Sequence, residues 1–139
     1  MTFKLSKASL NKLVGVHPDL VAVVKRAIEL STVDFKVGEG VRSLETQKKY
    51  IRIGASKTLR SRHIPASNKC GMACAVDLWA LKDLDADGDL DLSWVEAHYK
   101  PIAEAMKAAA KELNIPVQWG VDLWGWDSPH FQLPWNVYP

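Results

Sequence analysis

At 139 residues, with 47% hydrophobic and 24% charged residues and a formal net charge of +2, the chain has the make-up of a folded domain that buries a core without metal or disulfide staples. Those figures exclude extended disorder, and no apolar run reaches the length of a membrane span. The small positive charge lacks the clustered Lys and Arg of a nucleic-acid footprint, so no nucleic-acid partner is expected.

The amino terminus, Met1 to Lys7, mixes charge with single apolar residues and never builds the apolar block of a secretory signal. The chain is therefore expected to remain in the cytosol unless another agent releases it. With no internal repeat or linker, residues 1–139 are expected to form a single domain acting as a monomer. Two cysteines, Cys70 and Cys74, are too few for a disulfide framework and are expected to be thiols.

Pro18 suits a first helical turn, and Leu20, Val23, Val24, Ala27, Ile28 and Leu30 follow at helical spacing, which predicts a helix over 18–30. Phe35 to Gly40 is a short candidate strand leading to Arg42. Ser43 caps a predicted helix through Gln47 and Tyr50 that stops near Gly54. Ala55 to Gly71 is polar, basic and without period, and reads as a loop. Ala73 to Leu81 is apolar apart from Asp77, as in a buried strand.

Asp83 to Leu92 turns the chain, with Asp87-Gly88 as the hairpin signal. Ser93 and Glu96 match a capping box for a helix reaching Asn114, in which Pro101 predicts a kink or break. Val117 to Gly120 and His130 to Leu133 are two further short strands. Helices and strands without regular βαβ alternation predict an α+β domain. Of the six tryptophans, four (Trp119, Trp124, Trp126 and Trp135) crowd around His130, and core packing is expected for most of the six.

Three polar segments offer metal-site chemistry: Ser61-Arg62-His63, Ala75-Val76-Asp77 and Asp127-Ser128-Pro129-His130-Phe131. They supply two imidazoles, a carboxylate and a spare carboxylate, the set that a catalytic zinc with one open position and a nearby base requires. Taken singly, His63 reads as loop polarity, and Asp127-Ser128-Pro129 as turn chemistry. Asp77 in an apolar strand costs several kcal/mol unless paired or metal-bound, and Arg42 or Arg62 are candidate partners.

Jointly, the Ser61-x-His63, Ala75-x-Asp77 and Asp127-x-x-His130-Phe131 motifs resemble the zinc D-alanyl-D-alanine carboxypeptidases and dipeptidases of vancomycin resistance. They look closer still to the small phage endolysins that are L-alanyl-D-glutamate endopeptidases. Gly40-Val41-Arg42-Ser43 with Gln47, and Trp119-Gly120-Val121-Asp122, extend the resemblance over about Val16 to Leu133. It implies a small antiparallel sheet with helices packed on it, of the hedgehog/DD-peptidase type. It also implies Zn²⁺ held by His63, Asp77 and His130, with Asp127 as the base toward water.

Arg42 would hold the scissile carbonyl oxygen, a contact worth roughly 2.7 to 4 kcal/mol of barrier; the alternative is a structural ion pair with Asp77 or Glu45. Ser61, Gln47, Trp124 and Trp126 are candidates for substrate contact. The basic loop around Lys57, Arg60, Arg62 and Lys69 would meet stem carboxylates.

One departure from the family is the fourteen positions between His63 and Asp77, with an apparent insertion over Pro65 to Cys70 and Ala73 where the family usually has glycine. The insertion opens a rival reading, a structural zinc on Cys70, Cys74 and His63. Asp83, Asp85, Asp87 and Gly88 match the start of a calcium loop, but Trp94 stands where its bidentate glutamate belongs, leaving a solvated turn and a weak Ca²⁺ site both open. His17 and His98 read as surface or helix-capping residues.

The function implied is a peptidoglycan peptidase for host lysis, held in the host cytoplasm until a separate pore releases it. A D-alanyl-D-alanine carboxypeptidase or dipeptidase is the nearer alternative and a non-catalytic cell-wall-binding module the more distant one.

Overall fold

The structure, a computed structural model, describes residues 2–56 and 60–139; Lys57 of the basic loop lies outside the described residues. A short helix α1 (Lys7–Lys12) precedes α2 (Pro18–Leu30) and strand β1 (Asp34–Glu39). Helix α3 (Leu44–Arg52) and a long loop with one 3₁₀ turn (Pro65–Ser67) lead to β2 (Ala75–Lys82) and β3 (Asp91–Ser93). Helix α4 (Tyr99–Leu113), strand β4 (Gln118–Trp119), the one-turn helix α5 (Gly120–Trp124) and β5 (His130–Gln132) complete the chain. This is the expected α+β architecture with an antiparallel sheet. Among the described residues no helix is long and apolar enough to cross a membrane.

Strand β2 is the centre of the sheet. It pairs antiparallel with β1 along one edge, and its other edge is shared by β5 at Ala75 to Asp77 and β3 at Ala80 to Lys82. β4 extends the sheet beyond β5. Although β2 reads as almost continuously apolar, its burial alternates. Val76, Leu78 and Ala80 join Phe35, Val37 and Phe131 under the apolar faces of α2 and α4, while Asp77 and Trp79 project from the opposite face, as the two-residue period of a strand requires.

Helix α2 begins at Pro18 as expected, and the His17 imidazole caps it by accepting from the Asp19 amide at 3.1 Å. Ser43 caps α3 by accepting from the Thr46 amide. At α4 two expectations are corrected. Ser93 is a buried β3 residue whose hydroxyl lies 2.6 Å from His98 Nδ1 and accepts from the Val95 amide, so it is not a helix cap. The helix starts later, at Tyr99, which puts Pro101 in its first turn, where the missing amide hydrogen is one no helical carbonyl would accept. Hence no kink is needed.

The tryptophans also depart from expectation. None of the six belongs to the buried core, although Trp119 packs partly against it. Trp94, Trp124 and Trp126 are exposed, the last at 60%.

Candidate functional site

The outer face of the sheet gathers a row of polar groups across three strands. Asp77 on β2 stands opposite His130 on β5 and opposite Glu39 on β1. Glu39 reaches that register through an irregularity between Val37 and Glu39, where the chain takes an extra residue, Gly38. Trp79 packs directly over Gly38; a Cβ there would lie 2.0 Å from its ring.

His63 arrives from the long loop, which is tied at both ends. The Arg42 amide donates to the His63 carbonyl at 2.9 Å and the Cys74 amide to the Arg62 carbonyl at 2.8 Å. These two bonds anchor the backbone at Arg62 and His63. His63 is 1% exposed, so it is not loop polarity at the surface.

His63 Nε2, His130 Nδ1 and Asp77 Oδ1 form a nearly equilateral triangle with sides of 3.2, 3.3 and 3.3 Å. The outer nitrogens of both rings are accounted for. His63 Nδ1 donates to the Gly40 carbonyl at 2.8 Å, and His130 Nε2 donates to Gln132 Oε1 at 2.8 Å. Such partners fix the tautomer and turn the free nitrogens inward, so three lone pairs face one another. Asp77 Oδ1 is buried with no hydrogen-bond partner. Three converging acceptors around an orphaned oxygen can hold a metal ion.

The electrostatics point the same way. Burial alone would push the Asp77 carboxyl up, but the His63 and His130 imidazoles hold it well below the usual carboxylate range. Burial would push His130 down, and the Asp77 carboxylate, with Gln132 and Asp127, prevails and draws it up. The cluster attracts positive charge, whether protons or a cation.

Asp127 borders the same cleft, an open cavity of about 650 Å³ also lined by Arg42, Trp124, Trp126 and Trp135. Its backbone lies in the left-handed region at φ 70°, tolerated by aspartate more readily than by most residues. The turn packs against Gly120, where a Cβ would lie 2.4 Å from the Asp127 carbonyl oxygen. Burial, reinforced by the Asp77 charge, raises the Asp127 pKa, with His130, His63 and Arg42 opposing. The Trp124 ring sits 5.2 Å from His130 and 6.3 Å from Trp126.

Arg42 is held from several sides. Its Nε donates to Glu39 Oε1 at 2.5 Å, one Nη to Gln47 Oε1 at 2.8 Å, and the other Nη lies 3.6 Å from Asp77 Oδ2. Its guanidinium carbon lies 4.8 Å from the Tyr50 ring centre. Of the ion-pair partners expected, Asp77 is present while Glu45 is exposed on α3; the stronger partner, Glu39, was not anticipated.

Gln47 and Ser61, the candidates for substrate contact, sit beside Arg42 and His63. Gln47 is completely buried, supporting Arg42 and donating to Ser56 Oγ at 2.7 Å. Ser61 Oγ lines the cleft but accepts from the His63 amide and, at 3.4 Å, from Arg42. Both position the residues that face the cleft. Trp124 and Trp126 line the cleft.

The residues missed from sequence are Glu39, Tyr50 and Gln132. Gln132 had a readable signal, since two residues from His130 on a strand is the same face. Glu39 had none, because its place depends on the irregularity at Gly38.

The rival thiolate site is contradicted. Cys70 and Cys74 sulfurs lie 3.9 Å apart, but His63 directs its free nitrogen to Asp77 and His130, and among the described residues no group of three ligands includes a cysteine. Burial pushes the Cys74 thiol up to about 11, which disfavours the thiolate. In the acidic loop, Asp83, Asp85, Asp87 and Asp91 bring carboxylate oxygens within 4.8 Å of one another, and this group could also hold a cation. Asp83 accepts from the Asp87 and Gly88 amides, as a solvated turn would.

Comparison with known proteins gives consistent results. Residues 1–132 match the family model described as phage L-alanyl-D-glutamate peptidase. The chain is 31% identical over 125 residues to the L-alanyl-D-glutamate peptidase of Escherichia phage T5, covering 88% of this chain and 82% of that one. The crystal structure of Serratia marcescens L-Ala D-Glu endopeptidase ChiX superposes with a TM-score of 0.80 at 40% identity, over 97% of this chain and 93% of ChiX.

Proposed function

This chain belongs to the phage L-alanyl-D-glutamate peptidase family, and on that premise we propose that it is a zinc-dependent endolysin. It hydrolyses the L-alanyl-D-glutamate bond in the peptide stems of bacterial peptidoglycan. Its role is host lysis, acting as a monomer on the wall after release from the host cytoplasm.

The observation that carries the zinc assignment is the triangle of His63 Nε2, His130 Nδ1 and Asp77 Oδ1, with sides of 3.2 to 3.3 Å. Tetrahedral zinc with nitrogen and oxygen ligands at about 2.0 to 2.1 Å sets ligand atoms about 3.3 to 3.4 Å apart. The donor set fits, and the orphaned Asp77 oxygen acquires a partner. The chemistry supplied by such an ion is Lewis acidity, which lowers the pKa of water to about 7 and polarises a carbonyl oxygen.

The chain's own groups do the rest. Asp127, whose carboxyl is raised by burial, takes a proton from water as it attacks the alanyl carbonyl. It returns that proton to the D-glutamyl amine as the C–N bond breaks. Arg42 offers its guanidinium to the carbonyl oxygen as that oxygen gains charge, and Glu39, Gln47 and Tyr50 hold it so that little reorganisation is needed. Trp124 and Trp126 present exposed faces on which the stem packs.

Incubation with purified peptidoglycan, followed by analysis of the newly exposed amino termini, tests the reading. D-Glutamate is the expected new terminus, with loss of activity on chelation and recovery on adding Zn²⁺. New D-alanine instead would favour the carboxypeptidase alternative, and no new terminus would leave a binding module. Ca²⁺ in the loop of Asp83, Asp85, Asp87 and Asp91 is a second cofactor reading, supported by the convergence of those carboxylates. A melting temperature that rises with Ca²⁺ in the wild type but not in Asp87→Asn is its expected signature.

A further inference from the structure

One side of the cleft concentrates positive charge that the mechanism above does not use. Arg60 and Arg62 both lie over the half-buried Trp135 ring, their guanidinium carbons 4.1 and 4.0 Å from its centre. All three residues line the cleft that contains Asp77 and His130. Arg62 is 2% exposed, yet its partners are neutral: Asn68 Oδ1 at 2.6 Å and the carbonyls of Leu133 and Tyr138 at 3.0 and 2.5 Å. Its Nε is buried with no partner, and among the described residues no carboxylate lies within ion-pair distance of it.

A buried cation without a counter-charge is costly, and a second guanidinium beside it adds repulsion. Stacking on an indole offsets part of the cost. An anion entering from the cleft would supply the missing counter-charge. Arg42, the other cleft arginine, already faces Glu39 and Asp77.

The substrate supplies an anion of that kind. D-Glutamate carries two carboxyl groups, and only one can continue the peptide. The other remains a free carboxylate a few bonds from the scissile nitrogen, whereas L-alanine brings no charge. In a cleft that also contains Glu39, Asp77 and Asp127, that carboxylate needs a cationic place of its own.

We propose that Arg60, stacked on Trp135 with the buried Arg62 behind it, is the subsite for the free carboxylate of the D-glutamyl residue. This rests on the L-alanyl-D-glutamate reading given above and assigns the specificity of the same site. Arg60 is exposed and makes the contact; Arg62 is a positioning residue that keeps the local potential positive. A planar guanidinium suits a two-pronged grip on a carboxylate and loses that fit toward a carboxamide.

The test uses two soluble L-alanyl-D-glutamyl stem peptides that differ only in carrying the free carboxylate or its carboxamide. Wild-type enzyme is expected to favour the carboxylate by roughly ten- to hundredfold in kcat/KM, mostly through KM, as for a hydrogen bond to a charged group. In Arg60→Gln the ratio is expected to fall to within about twofold of unity, with Arg60→Lys intermediate, while thermal melting shows each variant folded. Equal cleavage of both peptides by wild type, or an Arg60→Gln enzyme that keeps the wild-type ratio, overturns the subsite and leaves the reaction assignment standing. Failure of wild type to cleave either peptide overturns the reaction assignment and the subsite with it.

Discussion

The two faces of the central sheet are built from the same strands and obey different rules. Toward α2 and α4, Val76, Leu78 and Phe131 are held by apolar contact alone, which depends on volume and is indifferent to the direction of any one atom. On the other face, Asp77, His130 and Gln132 are defined atom by atom, by converging lone pairs and the hydrogen bonds that aim them. The site face contributes chemistry and an uncompensated cluster of lone pairs, so its stability depends on what it binds.

Substitutions on the two faces should therefore fail in different currencies. The largest effect is expected from Asp127→Asn, which removes the proposed base and none of the proposed ligands: kcat should fall by about 10²- to 10⁴-fold with zinc content unchanged, measured by peptide hydrolysis and elemental analysis. Leu78→Ala, on the core face one residue from Asp77, should cost about 2 to 5 kcal/mol of unfolding free energy in a urea titration. Its bound zinc should survive wherever the protein is folded.

Gln132→Ala releases the outer nitrogen of His130 and should weaken zinc binding by about ten- to a hundredfold in a chelator competition. The smallest effect belongs to Leu78→Met, which conserves volume and should cost less than about 1.5 kcal/mol with activity retained. If Leu78→Ala released zinc from folded protein while Gln132→Ala did not, the separation of the two faces would be lost.

Much of this contrast could be read from the chain. The long periodic helix α2, the capped α3, the strand around Asp77 and the terminal Asp127-x-x-His130 motif all announce themselves locally. Helix α1 did not, because six residues show too little period, and α5 is a single turn that opens on a glycine required for the close approach of Asp127. The capping box at Ser93 was a local pattern overridden by strand pairing with β2.

The three converging acceptors, His63, Asp77 and His130, were legible in the sequence, and the residues that support them less so. Glu39 takes its place through an irregular register, and the full burial of Gln47 cannot be seen in a motif. The tryptophans misled for a related reason: a large apolar ring suggests core, whereas Trp124 and Trp126 serve as exposed walls of the cleft.

The most direct test of the central claim is zinc content by elemental analysis of the purified wild type beside His63→Ala, Asp77→Ala and Cys70→Ala. The expected result is about one zinc per chain in the wild type and in Cys70→Ala, and a large loss in the His63 and Asp77 variants. Zinc that persists in His63→Ala and disappears from Cys70→Ala would contradict the ligand set and the mechanism built on it.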